Sequence, residues 1–253
     1  MLTSERKAYI RERLRRDGRV LAKPLSHELG LSEDTIRRDL RELAAEGVLQ
    51  RVHGGALPAA SALVNYAARE KIAAPAKTAL GMEAAGLVLP GQVVFLDGGT
   101  TNVQLARALP ADLRATVVTH SPNIAVELVG HPLVQVELIG GRLFKHSAVT
   151  VGAVALEALG RVRPDLFFMG VTGVHPEAGF TTGDAEEAAV KRAIWTRAAQ
   201  TIVLATSDKL GAASPFVIAP LAEDVTLVVE QDAPEGVLAD IAATGLTILQ
   251  ADR

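Results

Sequence analysis

The chain contains no cysteine, which excludes disulfides, thiolate metal sites and cysteine nucleophiles. No run approaches the roughly 20 apolar residues of a membrane span, and the opening Met1-Leu2-Thr3-Ser4-Glu5-Arg6-Lys7 lacks the apolar core of a signal peptide. We therefore expect a soluble, cytoplasmic protein without membrane contact. The histidines, at positions 27, 53, 120, 131, 146 and 175, form no His-x3-His or similar pair, so we expect no metal and no cofactor. Internal repeats and low-complexity tracts are absent too.

Positive charge is also short overall, since the 253 residues carry a net −3. Dividing the chain at Gly55 changes the picture. Residues 1–55 hold 12 Lys+Arg against 9 Asp+Glu, a net of +3, and the remainder holds 14 against 20, a net of −6. The basic charge is gathered where a DNA-binding module would use it. The length suits two domains. We expect a winged helix-turn-helix over residues 1–57, a linker over 58–75, where Pro58 and Pro75 are breaks, and an α/β domain over 76–253.

Residues 31–43 organise the small domain. Ser32 is placed to cap a helix, Glu33 and Asp34 suit its positive first turn, and Ile36, Leu40 and Leu43 recur at helical spacing. Opposite them lie Asp34, Arg38, Arg41 and Ala45, flanked by Thr35 and Arg37, so the polar side is narrow and arginine-bearing. Residues 25–29 form a short helical piece ending at Gly30. Helix, three-residue turn and second helix have helix-turn-helix spacing, and the second helix would enter the major groove. The plainer alternative is a surface helix with pairs such as Asp34 with Arg38 and Arg38 with Glu42. The flank favours the first: residues 48–55 alternate apolar and polar up to Gly54-Gly55, as a small wing would, with Arg51 and His53 set for phosphate or a minor groove. Upstream, Thr3 or Ser4 caps a first helix to about Arg16, whose Arg11, Arg13, Arg15 and Arg16 are either a solvated face or phosphate contacts.

Beyond the linker, nearly continuous apolar runs at 93–96, 115–118, 134–139, 166–169, 201–205 and 225–229 predict strands covered on both faces. Helical segments alternate with them at about 76–89, 101–109, 122–128, 184–199 and 234–244, which predicts a mostly parallel sheet with helices on both sides. Ligands of such sheets bind beyond the carboxyl ends of the strands. The first such loop, Asp97-Gly98-Gly99-Thr100-Thr101, opens a helix whose free N–H groups favour an anion such as phosphate; a plain strand-to-helix turn is the alternative. No Gly-Lys-Ser/Thr follows, so it is not a Walker loop. Asp97 would repel phosphate and suits a sugar hydroxyl or the loop amides. Other strand ends offer Thr119 through Asn123, Gly140-Gly141-Arg142, Gly170 through Gly173, and Ser207-Asp208-Lys209, with Lys209 the best single cation. Lys191 reads as solvated, and Asp184, Glu186 and Glu187 as a helix start.

Thr35-Ile36-Arg37-Arg38-Asp39-Leu40 after Ser32, with Arg51-Val52-His53-Gly54-Gly55 behind it, resembles the DNA-binding signature of the DeoR-type bacterial transcriptional repressors. Tyr66 and Arg69 match an aromatic and an arginine in that family's linker. The resemblance runs on through Asp97-Gly98-Gly99-Thr100-Thr101, Val118-Thr119-His120-Ser121, Ile139-Gly140-Gly141, Asp165 through Gly170, Gly173, Gly179-Phe180-Thr181-Thr182, and Lys209 with Gly211. It implies a sensor domain similar in fold to sugar-phosphate isomerases and a homo-oligomer, dimer or tetramer, that binds double-stranded operator DNA and responds to a phosphorylated sugar. From the helix face, the wing and this resemblance together, DNA contacts are expected at Ser32, Glu33, Asp34, Thr35, Arg37, Arg38, Arg41, Arg51 and His53. The resemblance has Gly99, Thr100 and Thr101 cradle phosphate with Asp97 and Lys209 nearby; with the strand-end loops, the expected effector contacts are Asp97, Gly98, Gly99, Thr100, Thr101, His120, Ser121, Asn123, Gly140, Gly141, Gly170 and Lys209. His120 stands where asparagine is usual and Thr206 where aspartate commonly precedes the Ser-x-Lys run. The rival is an isomerase-like enzyme with an accessory domain. Ribose-phosphate isomerases carry an Asp-Gly-Ala-Asp-Glu run where this chain reads Met169-Gly170-Val171-Thr172-Gly173, so the acid-base carboxylates are missing and we expect no catalytic residue.

Overall fold

The computed structural model describes residues 2–59 and 66–252. The small domain is α1 (Thr3–Asp17), β1 (Val20–Leu21), α2 (Ala22–Leu29), α3 (Glu33–Ala45), β2 (Leu49–Val52) and β3 (Gly55–Pro58). Ser32 Oγ accepts from the Thr35 amide at 3.2 Å and fixes the start of α3. Ile36, Leu40 and Leu43 are buried with Ile10, Leu14, Leu25 and Leu49, each such side chain contributing roughly 1.5–3 kcal/mol. The expected cap of α1 is corrected: Leu2 holds the N-cap position and its amide donates to Glu5 Oε2 at 2.9 Å, so Thr3 is already helical. The wing is a three-stranded sheet in the order β1-β3-β2, and its third strand runs beyond the Gly54 turn to Pro58.

Of the expected linker, residues 60–65 lie outside the described residues; α4 (Tyr66–Lys71) follows them. The large domain then runs α5 (Ala74–Ala85), β4 (Val93–Leu96), α6 (Thr100–Ala108), β5 (Thr116–Thr119), α7 (Pro122–Glu127), β6 (Gln135–Leu138), β7 (Arg142–Phe144), β8 (Val149–Val151) and α8 (Ala153–Leu159). It continues with β9 (Leu166–Met169), β10 (Gly173–His175), β11 (Gly179–Thr182), α9 (Ala185–Trp195), β12 (Gln200–Ala205) and a 3-10 turn at Ser207–Lys209. β13 (Phe216–Ala219), β14 (Val225–Glu230), α10 (Glu235–Ala242) and β15 (Thr247–Ala251) complete it.

Seven strands pair in parallel in the order β15-β14-β12-β9-β4-β5-β6. The continuous apolar runs are explained by the two-period of a strand: Phe95, Phe167, Met169, Val203 and Leu227 face one core with α8, α9 and α10. Leu96, Leu166, Phe168, Ile202 and Val228 face the other with α5, α6 and α7. From β4 the chain moves outward to β5 and β6, and from β9 it moves the other way to β12 and β14. The crevice beyond β4 and β9 is therefore the topological switch point of the sheet.

Candidate functional site

On α3 the apolar side is spent on the core, and Arg37, Arg38 and Arg41 are exposed with Arg51 and His53 of the wing. Arg37 pairs with Glu33 at 2.7 Å, one turn back. The pairs Asp34–Arg38 and Arg38–Glu42 are not formed. Glu42 instead takes Lys7 at 2.8 Å, so Arg38 and Arg41 make no ion pair among the described residues. Of the α1 arginines, Arg11 pairs with Glu46 at 2.6 Å, Arg13 with Asp17 and Glu28, and Arg16 with Asp17. Asp39, part of the signature at 35–40 but given no role by the sequence, is fully buried and takes the Arg6 guanidinium with both oxygens, one at 3.0 Å, locking α1 against α3. Arg37, Arg38 and Arg41, on the opposite side of α3, stay exposed.

At the switch point the loops after β4, β9 and β12 meet in a cavity. It is lined by Gly98, Gly99, Thr100, Thr101 and Asn102, by Gly170, Val171 and Thr172, and by Thr206, Asp208 and Lys209. Arg69, Ile72, Lys77, Ser147, Thr182, Glu187 and Lys191 close it. Asn102 anchors the mouth of α6 by donating to the Asp97 and Phe168 carbonyls at 2.9 and 3.0 Å. Gly98 is required because a Cβ there would collide with Val149 Cγ1, and Gly99 adopts φ +135° before the helix starts. The first turn of α6 so presents its free amides to the cavity.

Asp97 lies beneath this floor with no exposure. Its carboxylate accepts from the Gly98 and Gly170 amides, both at 2.8 Å, and takes the Lys191 ammonium and His120 Nε2, the latter at 2.7 Å. Burial would raise its pKa, but Lys191 and His120 outweigh that and hold it at about 2. Asp97 thus fixes the loop amides, and it does not line the cavity. Lys191 corrects the sequence reading, since it is buried at 3% exposure. Its position in the buried stripe with Ala188 and Ile194 was the available signal.

His120 is equally buried, its ring nitrogens facing Asp97 and the Thr150 carbonyl. It serves the floor and does not line the cavity. Ser121 is buried beside it and reaches the Ala148 carbonyl at 3.4 Å. Asn123, on α7, hydrogen bonds with the Tyr66 hydroxyl, and Gly140 and Gly141 belong to the turn into β7; none of these three lines the cavity. The reason is strand order: β5 and β6 lie outboard of β4, so their loops open elsewhere. Lys209 lines the cavity as expected, and burial lowers its ammonium to about 8. Asp184 caps α9, accepting from the Glu186 and Glu187 amides at 3.0 Å. Glu187, however, turns inward and accepts from Ser147 Oγ at 3.1 Å.

Three buried polar atoms have no hydrogen-bond partner among the described residues: Thr101 Oγ1, Thr206 Oγ1 and Arg69 Nε. All belong to residues of this cavity. Thr101 and Thr206 are 5% and 1% exposed, so neither hydroxyl is satisfied by bulk water. A small anion carrying several acceptors and hydroxyls answers these demands together with the α6 amides. No three His, Asp or Glu side chains among the described residues gather as a metal would need.

Residues 72–231 match the DeoR C terminal sensor domain, and residues 6–61 the DeoR-like helix-turn-helix domain. The chain is 36% identical to the HTH-type transcriptional regulator GlpR of Haloferax volcanii, over 98% of each protein. It is 32% identical to the HTH-type transcriptional repressor GlcR of Bacillus subtilis, over 95% of this chain and 93% of that one. A solved D-ribose-5-phosphate isomerase in complex with phospho-erythronic acid overlaps 53% of this chain and 52% of its own, with 18% identity and a TM-score of 0.39.

Proposed function

This chain belongs to the DeoR family of DNA-binding transcriptional regulators, and from that premise we propose that it represses a carbohydrate-catabolism operon and leaves its operator when a phosphorylated sugar fills the cavity. It is a regulator and not an enzyme. The repressor sense is supported by the name of the Bacillus relative. In this account α3 enters the major groove, with Arg38 and Arg41 reading bases or phosphates and Arg37 beside them; Arg51 and His53 on the wing rest on the backbone. Ser32 and Thr35 cap each other at the helix start, with Glu33 and Asp34 in the first turn, and set the depth of entry. A homo-oligomer places two or more such modules on repeated half-sites.

The observation that carries the effector assignment is the pair of partnerless buried hydroxyls, Thr101 and Thr206, beside the N-terminal amides of α6. A phosphate there accepts from the amides and is balanced by Lys209, while sugar hydroxyls meet Glu187, Thr172 and Thr206. The test is fluorescence anisotropy of labelled duplex from this gene's own upstream region. Protein is titrated first, then glucose 6-phosphate, glycerol 3-phosphate and other phosphorylated sugars. Binding followed by release with one of them is the expected result. A protein that ignores the duplex, or holds it against every phosphoester, contradicts the proposal.

A further inference from the structure

Arg69 belongs by sequence to the segment joining the two domains, yet its side chain lines the cavity of the sensor domain. It also lines the adjoining chamber of Phe144, Gly183 and Asp184. A guanidinium has five N–H donors in a fixed fork. Here Nε is buried with no partner, and Nη2 reaches only the His146 carbonyl and Ser147 Oγ, at 3.4 Å each. No carboxylate takes it in an ion pair among the described residues, and burial lowers its pKa. An under-used buried fork is costly unless something completes it. The backbone around it is held in place: Lys77 Nζ donates to the Arg69 carbonyl at 2.5 Å, and the Tyr66 amide to the His146 carbonyl at 2.9 Å. The unused donor capacity lies in the side chain, at Nε.

The other flank of the linker meets the same walls. The Ala213 amide donates to the Pro58 carbonyl at 3.1 Å, and Ala59 bridges Ala213. Ala213 follows closely on Lys209, and its neighbour Ser214 holds Thr172 at 2.7 Å. The flanks of residues 60–65 therefore rest beside the cavity wall, on His146 next to Ser147 and on Ala213 a few residues beyond Lys209.

We propose that Arg69 is an effector-contacting residue whose guanidinium donates to the phosphate of the bound sugar, so that the ligand grips the linker as well as the sensor domain. This rests on the effector assignment above. The planar fork matches phosphate oxygens bidentately, which a lysine cannot reproduce. Occupancy of the cavity is thereby passed to the segment that leads to the DNA-binding domain.

The test uses the full chain as wild type, R69Q, R69K and Y66F, with titration calorimetry against glucose 6-phosphate, glycerol 3-phosphate and inorganic phosphate. Hydrogen exchange of residues 66–72 is followed with and without the phosphoester that the wild type binds best. The expected result is at least a tenfold loss of affinity in R69Q, a smaller loss in R69K, and wild-type affinity in Y66F, which alters the linker away from the cavity. Ligand should slow exchange of 66–72 in wild type and Y66F and leave it unchanged in R69Q. Equal affinity in wild type and R69Q overturns the proposal. Should R69Q fail to fold, R69K carries the test, and unchanged affinity there overturns it equally. A wild type that binds no phosphoester sinks the effector assignment itself, an outcome distinct from binding that ignores Arg69.

Discussion

Burial lowers the Lys209 ammonium to about 8, and although Asp208 works against the shift, Lys77, Arg69 and Lys191 crowd the same cavity and add to it. A phosphomonoester becomes a dianion above about pH 6. Sugar-phosphate affinity is therefore expected to be highest between these values and to fall as pH rises through 8, because Lys209 then loses the charge that the phosphate needs. Lys209→Met should weaken binding about tenfold at pH 7 and remove the alkaline fall, as calorimetric titration at pH 7 and pH 9 would show. A fall that persists in the variant assigns it to another group. Asp97 obeys the opposite sign. Its folded pKa, about 2, lies below the 3.8 of an unperturbed carboxyl, so its contribution to stability is complete above 3.8 and is lost as pH falls through 2. Asp97→Asn leaves the buried Lys191 charge without its counterion, which costs on the order of 3–5 kcal/mol. Urea unfolding at pH 7 measures this, and a loss under about 1 kcal/mol would show that Lys191 finds another partner.

At the level of elements, what sequence could disclose depended on whether the cause was local. α3 announces itself because its cap, its apolar stripe and its arginines lie within one stretch, and the central strands do so because both faces are buried. β10, β11 and β13 went unseen. They are three or four residues long, contain Gly173 and Gly179, and take their order from partners such as Phe180 with Ala219, far apart in the chain. The same distance hid the site's second layer: Lys191 reads as a solvated helix lysine until the fold brings it to Asp97, and Thr206 as a mere departure from a family pattern until its hydroxyl is seen buried and alone. The exposed arginines of α3 permit a clean element-level prediction. Arg38→Ala should lower operator affinity by about 1–3 kcal/mol, roughly 5- to 150-fold, with sugar-phosphate affinity unchanged. Anisotropy and calorimetry on the same preparation test it, and equal loss of both would contradict a separate reader and sensor.

For the whole molecule, the question is how much binding free energy passes between the two sites. A coupling of about 1–3 kcal/mol changes DNA affinity roughly 5- to 150-fold, and by linkage the operator must weaken sugar-phosphate binding by the same factor. The ion pair of Arg19 with Glu177 at 2.6 Å joins the small domain to the sensor, but at more than half exposure it contributes little energy. On the proposed reading the coupling arises at the cavity, where ligand would bind. Thr101→Val keeps the shape of a buried side chain at the α6 N-terminus and removes a hydroxyl that has no partner among the described residues, so it should leave folding and DNA binding near wild type. In the presence of the phosphorylated sugar that releases wild type, this variant should stay on the duplex until about tenfold more ligand is added. Both proteins should lose DNA affinity equally steeply with salt, since the substitution leaves the phosphate contacts proposed for α3 and the wing untouched. Release of the variant at the wild-type ligand concentration would place the sensor elsewhere, whereas a shallower salt dependence would mean that the substitution had reached the DNA-binding domain.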